Sequence, residues 1–221
     1  LIPLFIEMKD VKAFDDNGDN FFSAERVKGY ISVSGLFRKE IIIRRLLIKE
    51  PKIISDTTQI GEILSTIKKY LSMQTRFPYK LIFKSVVIGD AAFNFQEKDT
   101  TFTIKDMNAD LVLSERTSFR VSSKDIGILK EGMQEIKMMT EAFFYLKDNE
   151  IDLKKLKIIS GGSDISTHGS IFLENISGEL STEASIMVET IKNIFRLKSS
   201  EKGKIFAKGT LKVDDITTGI K

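Results

Sequence analysis

The chain has 221 residues, 42% hydrophobic and 29% charged, an ordinary balance for a folded protein that excludes wholesale disorder. Its 34 basic and 31 acidic residues leave a formal charge of +3, too even to make an electrostatic case for nucleic acid. Cysteine is absent, which removes disulfides, thiol nucleophiles and zinc fingers together but does not fix the compartment.

Residues 4–14 predict a first strand, and the acidic run at 15–20 predicts a hairpin turn. A calcium loop there would need a later glutamate at a spacing this sequence does not have. Residues 21–36 predict a second strand. Residues 40–54 predict a third, with Ile41, Ile43 and Leu47 on one side and Ile42, Leu46 and Ile48 on the other. Apolar residues on both sides imply cover on both sides, and Pro51 places a break or an edge near the end.

The period then changes. Over residues 57–73, Ile60, Ile63, Leu64, Ile67, Tyr70 and Leu71 recur at three and four, the stripe of an amphipathic helix, with Asp56 and Gln59 at capping-box spacing. One reading packs this helix on the sheet. The other makes Ile60, Ile63, Leu64, Ile67 and Leu71 a plug across the end of a hydrophobic groove.

Strands resume at 81–89, 91–96 and 101–113, with a turn at Glu97-Lys98-Asp99. Apolar parity switches near Asp106, from Phe102 and Ile104 to Met107, Ala109, Leu111 and Leu113, which predicts a bulge. A similar switch falls at Lys154-Lys155, between Leu153 and Leu156. Ile126, Leu129, Met133, Ile136 and Phe143 fit a helix, so residues 126–138 read as helix or irregular strand and the following residues as strand. Residues 150–160, 164–174 and 204–214 are the clearest strands, with Ser160-Gly161-Gly162-Ser163 as a connecting turn. Residues 187–197 read as a strand or a short helix.

Three segments share one pattern: Val27-Lys28-Gly29-Tyr30-Ile31, Thr167-His168-Gly169-Ser170-Ile171 and Ala207-Lys208-Gly209-Thr210-Leu211. Each places a glycine in the dry column of an alternating strand, where a missing side chain lets a sheet bend or a ligand approach the backbone. Ile165, Gly169, Ile171 and Leu173 form one such column, and Ile205, Gly209, Leu211 and Val213 another. These eight residues are the candidate lining of an apolar groove.

No catalytic constellation accompanies them. His168, the one histidine, falls in the wet column of a strand with no nucleophile or orienting carboxylate at local spacing. Ser160-Gly161-Gly162-Ser163 lacks the lysine and the following helix of a phosphate loop. Ser34-Gly35-Leu36 lacks the second glycine of a nucleophile elbow, and Asp214-Asp215 is no glycosidase pair. The expectation is a protein that is not an enzyme, with no cofactor and no metal. A dry strand face with so little helix to cover it must fold over on itself or meet an apolar partner that is not protein.

The run FIEMKDVKAFDDNGDNFFSAERVKGYISVSGLFRKEIIIRRLLIKEPKI resembles the amino-terminal part of AsmA-like and TamB-like bacterial envelope proteins. The shared order is a strand at 6–14, an acidic turn at 15–20, a strand at 24–36 ending near Gly35-Leu36, and a strand at 41–51 ending in Glu50-Pro51. EIDLKKLKIISGGSDISTHGSIFLEN is similar to the repeated strand-turn-strand of the same group, and KGKIFAKGTLKVDD to the opening of a further repeat. The resemblance implies one elongated, curved antiparallel sheet over residues 1–221, folded like a taco around a hydrophobic groove, with one or two amphipathic helices. It implies a segment of a larger periplasmic protein anchored in the inner membrane by a part outside this sequence. Leu1–Ile6, reading like the continuation of something upstream, agrees with that expectation. The implied partners are phospholipid acyl chains and an outer-membrane barrel protein of the BamA type. The implied function is passage of phospholipid between the two membranes. The alternative is a scaffold that assists outer-membrane protein assembly by β-augmentation.

Overall fold

The computed structural model describes residues 4–14, 18–56, 79–97, 99–130, 135–173, 177–195, 198 and 200–213. It is mainly β, with thirteen strands, one 3₁₀ turn and one short helix among the described residues. The chain divides into two units, Leu1–Leu113 and Ser114–Lys221. The helix and plug expected at Ile60, Ile63, Leu64, Ile67 and Leu71 lie outside the described residues.

The first unit contains β1 (Leu4–Phe14), β2 (Asn20–Ser32), β3 (Glu40–Lys49), β4 (Lys52–Asp56), β5 (Lys80–Phe83), β6 (Ser85–Glu97) and β7 (Thr100–Val112). The expected first strand is found residue for residue. The second ends earlier, at Ser32, where a 3₁₀ turn over Val33–Arg38 takes up its last residues. Pro51 divides the expected third strand into β3 and β4, which lie end to end between β2 and β6.

Both pieces run antiparallel to β2 but parallel to β6, and β3 is also parallel to β5. This corrects the expectation of a wholly antiparallel sheet. Parallel neighbours need a long crossover rather than a tight turn, and residues 57–84 supply the length between β4 and β6.

Four residues of positive φ cross this unit in a line, and the register shifts at the last two, on β6 and β7. Asp10 on β1, Glu50 after β3, Asp90 on β6 and Asp106 on β7 all have φ between 50° and 54°. Pairing sets them side by side: Lys9 opposite Arg26, Arg26 opposite Lys49, Lys49 opposite Gly89, and a register shift where Asp90 faces β7. The Glu50 N–H donates to Gly89 O at 2.8 Å and the Ala92 N–H to Pro51 O at 2.8 Å, so hydrogen bonding continues through the line. Bulges sharpen local twist and bend the strand. The buried apolar side chains among the described residues stand beside this line: Ala24 (3% exposed), Ala91 (0%) and Pro51.

The second unit is a plain meander of β8 (Thr117–Lys130), β9 (Ile136–Lys147), β10 (Glu150–Ser160), β11 (Ser163–Phe172), β12 (Ser177–Met187) and β13 (Lys204–Val213). Each strand is antiparallel to its chain neighbour. Asp148-Asn149 and Gly161-Gly162, all with positive φ, make two-residue turns whose twist matches that of the flanking strands. The expected bulges are present, at Lys105-Asp106 on β7 and at Lys154-Lys155 on β10.

The helical alternative for 126–138 is corrected. Ile126 to Lys130 finish β8 and Ile136 opens β9, and the two form a hairpin. The residues left between strand and helix at 187–197 divide after Met187, where the helix α1 (Val188–Phe195) begins.

Candidate functional site

Antiparallel register in the second unit converts alternation into rows. Phe119, Phe144, Leu153, Gly169, Leu180 and Leu211 align across all six strands. The row on one side of it reads Thr117, Leu146, Ile151, Ile171, Gly178 and Val213. The row on the other side reads Val121, Ala142, Leu156, Thr167, Thr182 and Gly209. Beyond that come Ser123, Thr140, Ile158, Ile165, Ala184 and Ala207, then Ile186 with Ile205. The bulge at Lys154-Lys155 keeps Leu153 and Leu156 in this set, as the bulge at Lys124-Asp125 does for Val121 and Ile126. One side of the unit is therefore mostly apolar, interrupted by Thr117, Ser123, Thr140, Thr167 and Thr182.

The eight candidate groove residues fall within or beside these rows. Ile165, Gly169 and Ile171 lie on β11, and Ile205, Gly209, Leu211 and Val213 on β13. The two strands do not touch: β12 runs between them and links the columns through Gly178, Leu180, Thr182, Ala184 and Ile186. Leu173 stands one residue beyond β11, 43% exposed, its N–H donating to Asn149 O at 2.7 Å. Sequence reasoning missed β12 because Thr182 and Ala184 blur its alternation. It left Phe119 and Val121 on no element, and read the residues after 138 as strand without bringing Ala142 and Phe144 to the groove.

This surface is half-buried from β8 to β12 and exposed on the edge strand β13. No large apolar side chain of the second unit is buried among the described residues; Leu211 is 58% exposed and Ile205 48%. Phe119 and Phe144 stack with centroids 4.7 Å apart and planes 9° from parallel, so the aromatic pair is satisfied sideways within the sheet rather than by an opposing layer. The buried polar side chains here face one another: Thr167 Oγ1 lies 3.1 Å from Thr182 Oγ1, and Ser163 Oγ donates to Thr190 Oγ1 at 2.9 Å.

The three repeat glycines differ in what surrounds them. Gly169 has φ +145°, and a Cβ there would overlap the Glu179 carbonyl oxygen and stand 2.9 Å from Leu180 Cα. A Cβ on Gly29 would meet only Leu46 and Ile43 at ordinary contact distances, and one on Gly209 would meet nothing within 4 Å.

The opposite side is wet and charged. Lys155 reaches Glu141 at 2.6 Å, Lys208 reaches Glu183 at 2.6 Å, and Arg116 and Lys154 both reach Asp152, at 2.7 and 2.8 Å. These ammonium and guanidinium groups hold the carboxyls below their usual range: Lys155 for Glu141, Lys208 for Glu183, and Lys154, then Arg116, for Asp152. His168 is exposed on this side, as its wet-column position requires. It shares a concavity of about 520 Å³ with Glu150, Asp152, Lys154, Ser170 and Glu179, and no hydrogen bond orients it among the described residues. No helix among the described residues is long and apolar enough to cross a membrane, and no group of three or more histidine, aspartate and glutamate side chains there could hold a metal ion.

No family model matches the chain, nor does any curated protein or solved structure.

Proposed function

We propose that the chain is a non-catalytic lipid conduit: its apolar strand face takes the acyl chains of phospholipid while the charged side keeps it in water. The observation that supports the reading is the row pattern of the second unit, in which six strands contribute a mostly apolar surface, half-buried at most, with no second sheet packed on it among the described residues. Six strands at about 4.8 Å spacing give roughly 24 Å of apolar track, longer than the ~15 Å that one leaflet's acyl layer occupies. Each methylene laid on such a surface gains about 0.8 kcal/mol. Affinity then comes without any directional contact, in keeping with a face whose hydroxyls already bond to each other or to backbone carbonyls.

The AsmA-like and TamB-like resemblance extends this reading to a setting. The segment belongs to an inner-membrane-anchored protein of the periplasm that moves phospholipid between the two membranes and has a BamA-type barrel among its partners.

The test replaces Ile171 and Leu211 by aspartate in one chain. Both lie on the apolar face and neither is buried, so the fold should survive, which circular dichroism checks. Lipid extraction and native mass spectrometry should find phospholipid bound to the unaltered chain and at least tenfold less on the variant. Equal lipid content would refute the conduit. A scaffold reading has its own support in β13, which among the described residues pairs only with β12. It predicts that the aspartates leave capture of an unfolded barrel strand intact and that proline at Thr210 abolishes it.

A further inference from the structure

The connection from β12 to β13 is unlike the turns on either side of β10. Those are two-residue turns, whereas this one carries α1. Ser163 locates the helix. It opens the column of Ile165, Thr167, Gly169 and Ile171, so it faces the apolar side, and its hydroxyl is bonded to Thr190 on α1. The helix therefore stands over one margin of the apolar face.

Its fastening is a chain of hydroxyls. The Met187 N–H donates to Ser163 Oγ at 2.8 Å, Ser163 Oγ donates to Thr190 Oγ1 at 2.9 Å, and Thr190 Oγ1 donates to Gly161 O at 3.0 Å. Gly161 permits the close approach, since a Cβ there would fall 2.9 Å from Thr190 Oγ1. Two bonds secure the ends: the Val188 N–H to Gly203 O at 3.0 Å and Lys192 Nζ to Glu201 O at 3.0 Å.

Other features work against the docked position. Eight residues make little more than two turns, too few to be stable as an isolated helix. Glu189 Oε2 is shielded from water and meets no hydrogen-bond partner among the described residues, a desolvation cost that lifting the helix would relieve. Among the described residues its hydrogen bonds are all local, and one buried oxygen opposes docking.

We propose that α1 is a hinged cap on the Ser163 margin of the apolar face, latched by Thr190, that lifts to admit a lipid chain. The cap rests on the lipid reading of that face.

The chain has no cysteine, so Ser163→Cys with Thr190→Cys creates one defined disulfide without background. Hydrogen exchange is read first, on the full chain. The cap requires α1 amides in the unaltered protein to exchange at least 100-fold faster than those of β11 and β12, and the disulfide to remove that difference. Exchange of α1 together with the strands overturns the cap. Uptake of cis-parinaric acid is read second: the oxidised pair should load at least tenfold more slowly than the same protein after reduction. Equal loading before and after reduction also overturns the cap. Two single variants should move loading in opposite directions, Thr190→Val faster by losing the latch and Glu189→Ala slower by removing the unpaired oxygen. A shift in the same direction by both refutes the mechanism. An unaltered chain that takes up no parinaric acid refutes the lipid reading alone, and the exchange result then decides the cap.

Discussion

Alanine substitution at the three repeat glycines separates sequence likeness from spatial demand. At Gly169 the new Cβ would meet β12 backbone, the Glu179 carbonyl oxygen and Leu180 Cα, at a φ of +145°. Leaving a conformation that L-residues avoid costs about 1–2 kcal/mol, and displacing a neighbouring backbone in a regular ladder costs about 1–3 kcal/mol more. Gly169→Ala should therefore destabilise by about 2–5 kcal/mol. Gly209→Ala meets open space at negative φ, so the smaller entropy of the unfolded chain should stabilise by about 0.4–1 kcal/mol. Gly29→Ala, in loose contact with Leu46 and Ile43, should behave like Gly209→Ala or better. With a urea slope of about 1.5 kcal/mol per molar, the Gly169 and Gly209 midpoints should differ by about 1.6–4 M. Far-UV circular dichroism measures the midpoints, and native-state hydrogen exchange assigns the loss to β11 and β12. A harmless Gly169→Ala, or a Gly209→Ala as damaging as Gly169→Ala, would refute the steric argument.

The two bulges between β6 and β7 predict that Asp90→Gly and Asp106→Gly each stabilise by about 0.5–1 kcal/mol, because glycine adopts their φ of 54° and 50° without penalty; valine at either site should destabilise in the same urea assay. A double-mutant cycle of Phe119→Leu and Phe144→Leu should return a coupling of about 0.5–1.5 kcal/mol for the stacked pair. The lowered carboxyls of Glu141, Asp152 and Glu183 contribute stability that is complete above their unfolded pKa values and is lost as pH falls through the lowered folded ones. The urea midpoint should thus hold from neutrality to about pH 5 and fall below about pH 4, less steeply in 1 M salt or with Gln at positions 141 and 183. The raised Lys208, bonded to Glu183, has the opposite sign: its contribution is complete at neutral pH and is lost only as pH rises through its raised value.

Much of the strand content was legible because side-chain parity is a strict local signal. The parity switches at Asp106 and at Lys154-Lys155 locate two bulges from sequence alone, since a bulge is the simplest way to keep Ile104 and Met107, or Leu153 and Leu156, on one face. The helical alternative for 126–138 has a definite origin. Ile126 and Ile128 close β8 and Ile136 and Met138 open β9, so two short period-two runs imitate a period of three and four. The parallel pairing of β3 with β6 carried no local signature, because Leu46 and Val86 lie 40 residues apart in the chain and nothing in either strand encodes direction. The glycine repeat was visible as a pattern, but the approach of Glu179 to Gly169 depends on β12, whose alternation is weak.

Pairing with the next strand in the chain gives the second unit a modular economy that the first cannot share. Every hairpin from β8 to β13 is closed by residues near in sequence, so assembly can spread outward from any one of them like a zip, with no distant contact to await. Duplicating or deleting one hairpin requires a single new seam between two strands. The first unit is knitted together by partners from distant parts of the chain, and loss of β3 would unfasten β2, β5 and β6 at once. Lengthening by repetition is therefore open to the meander and closed to its neighbour.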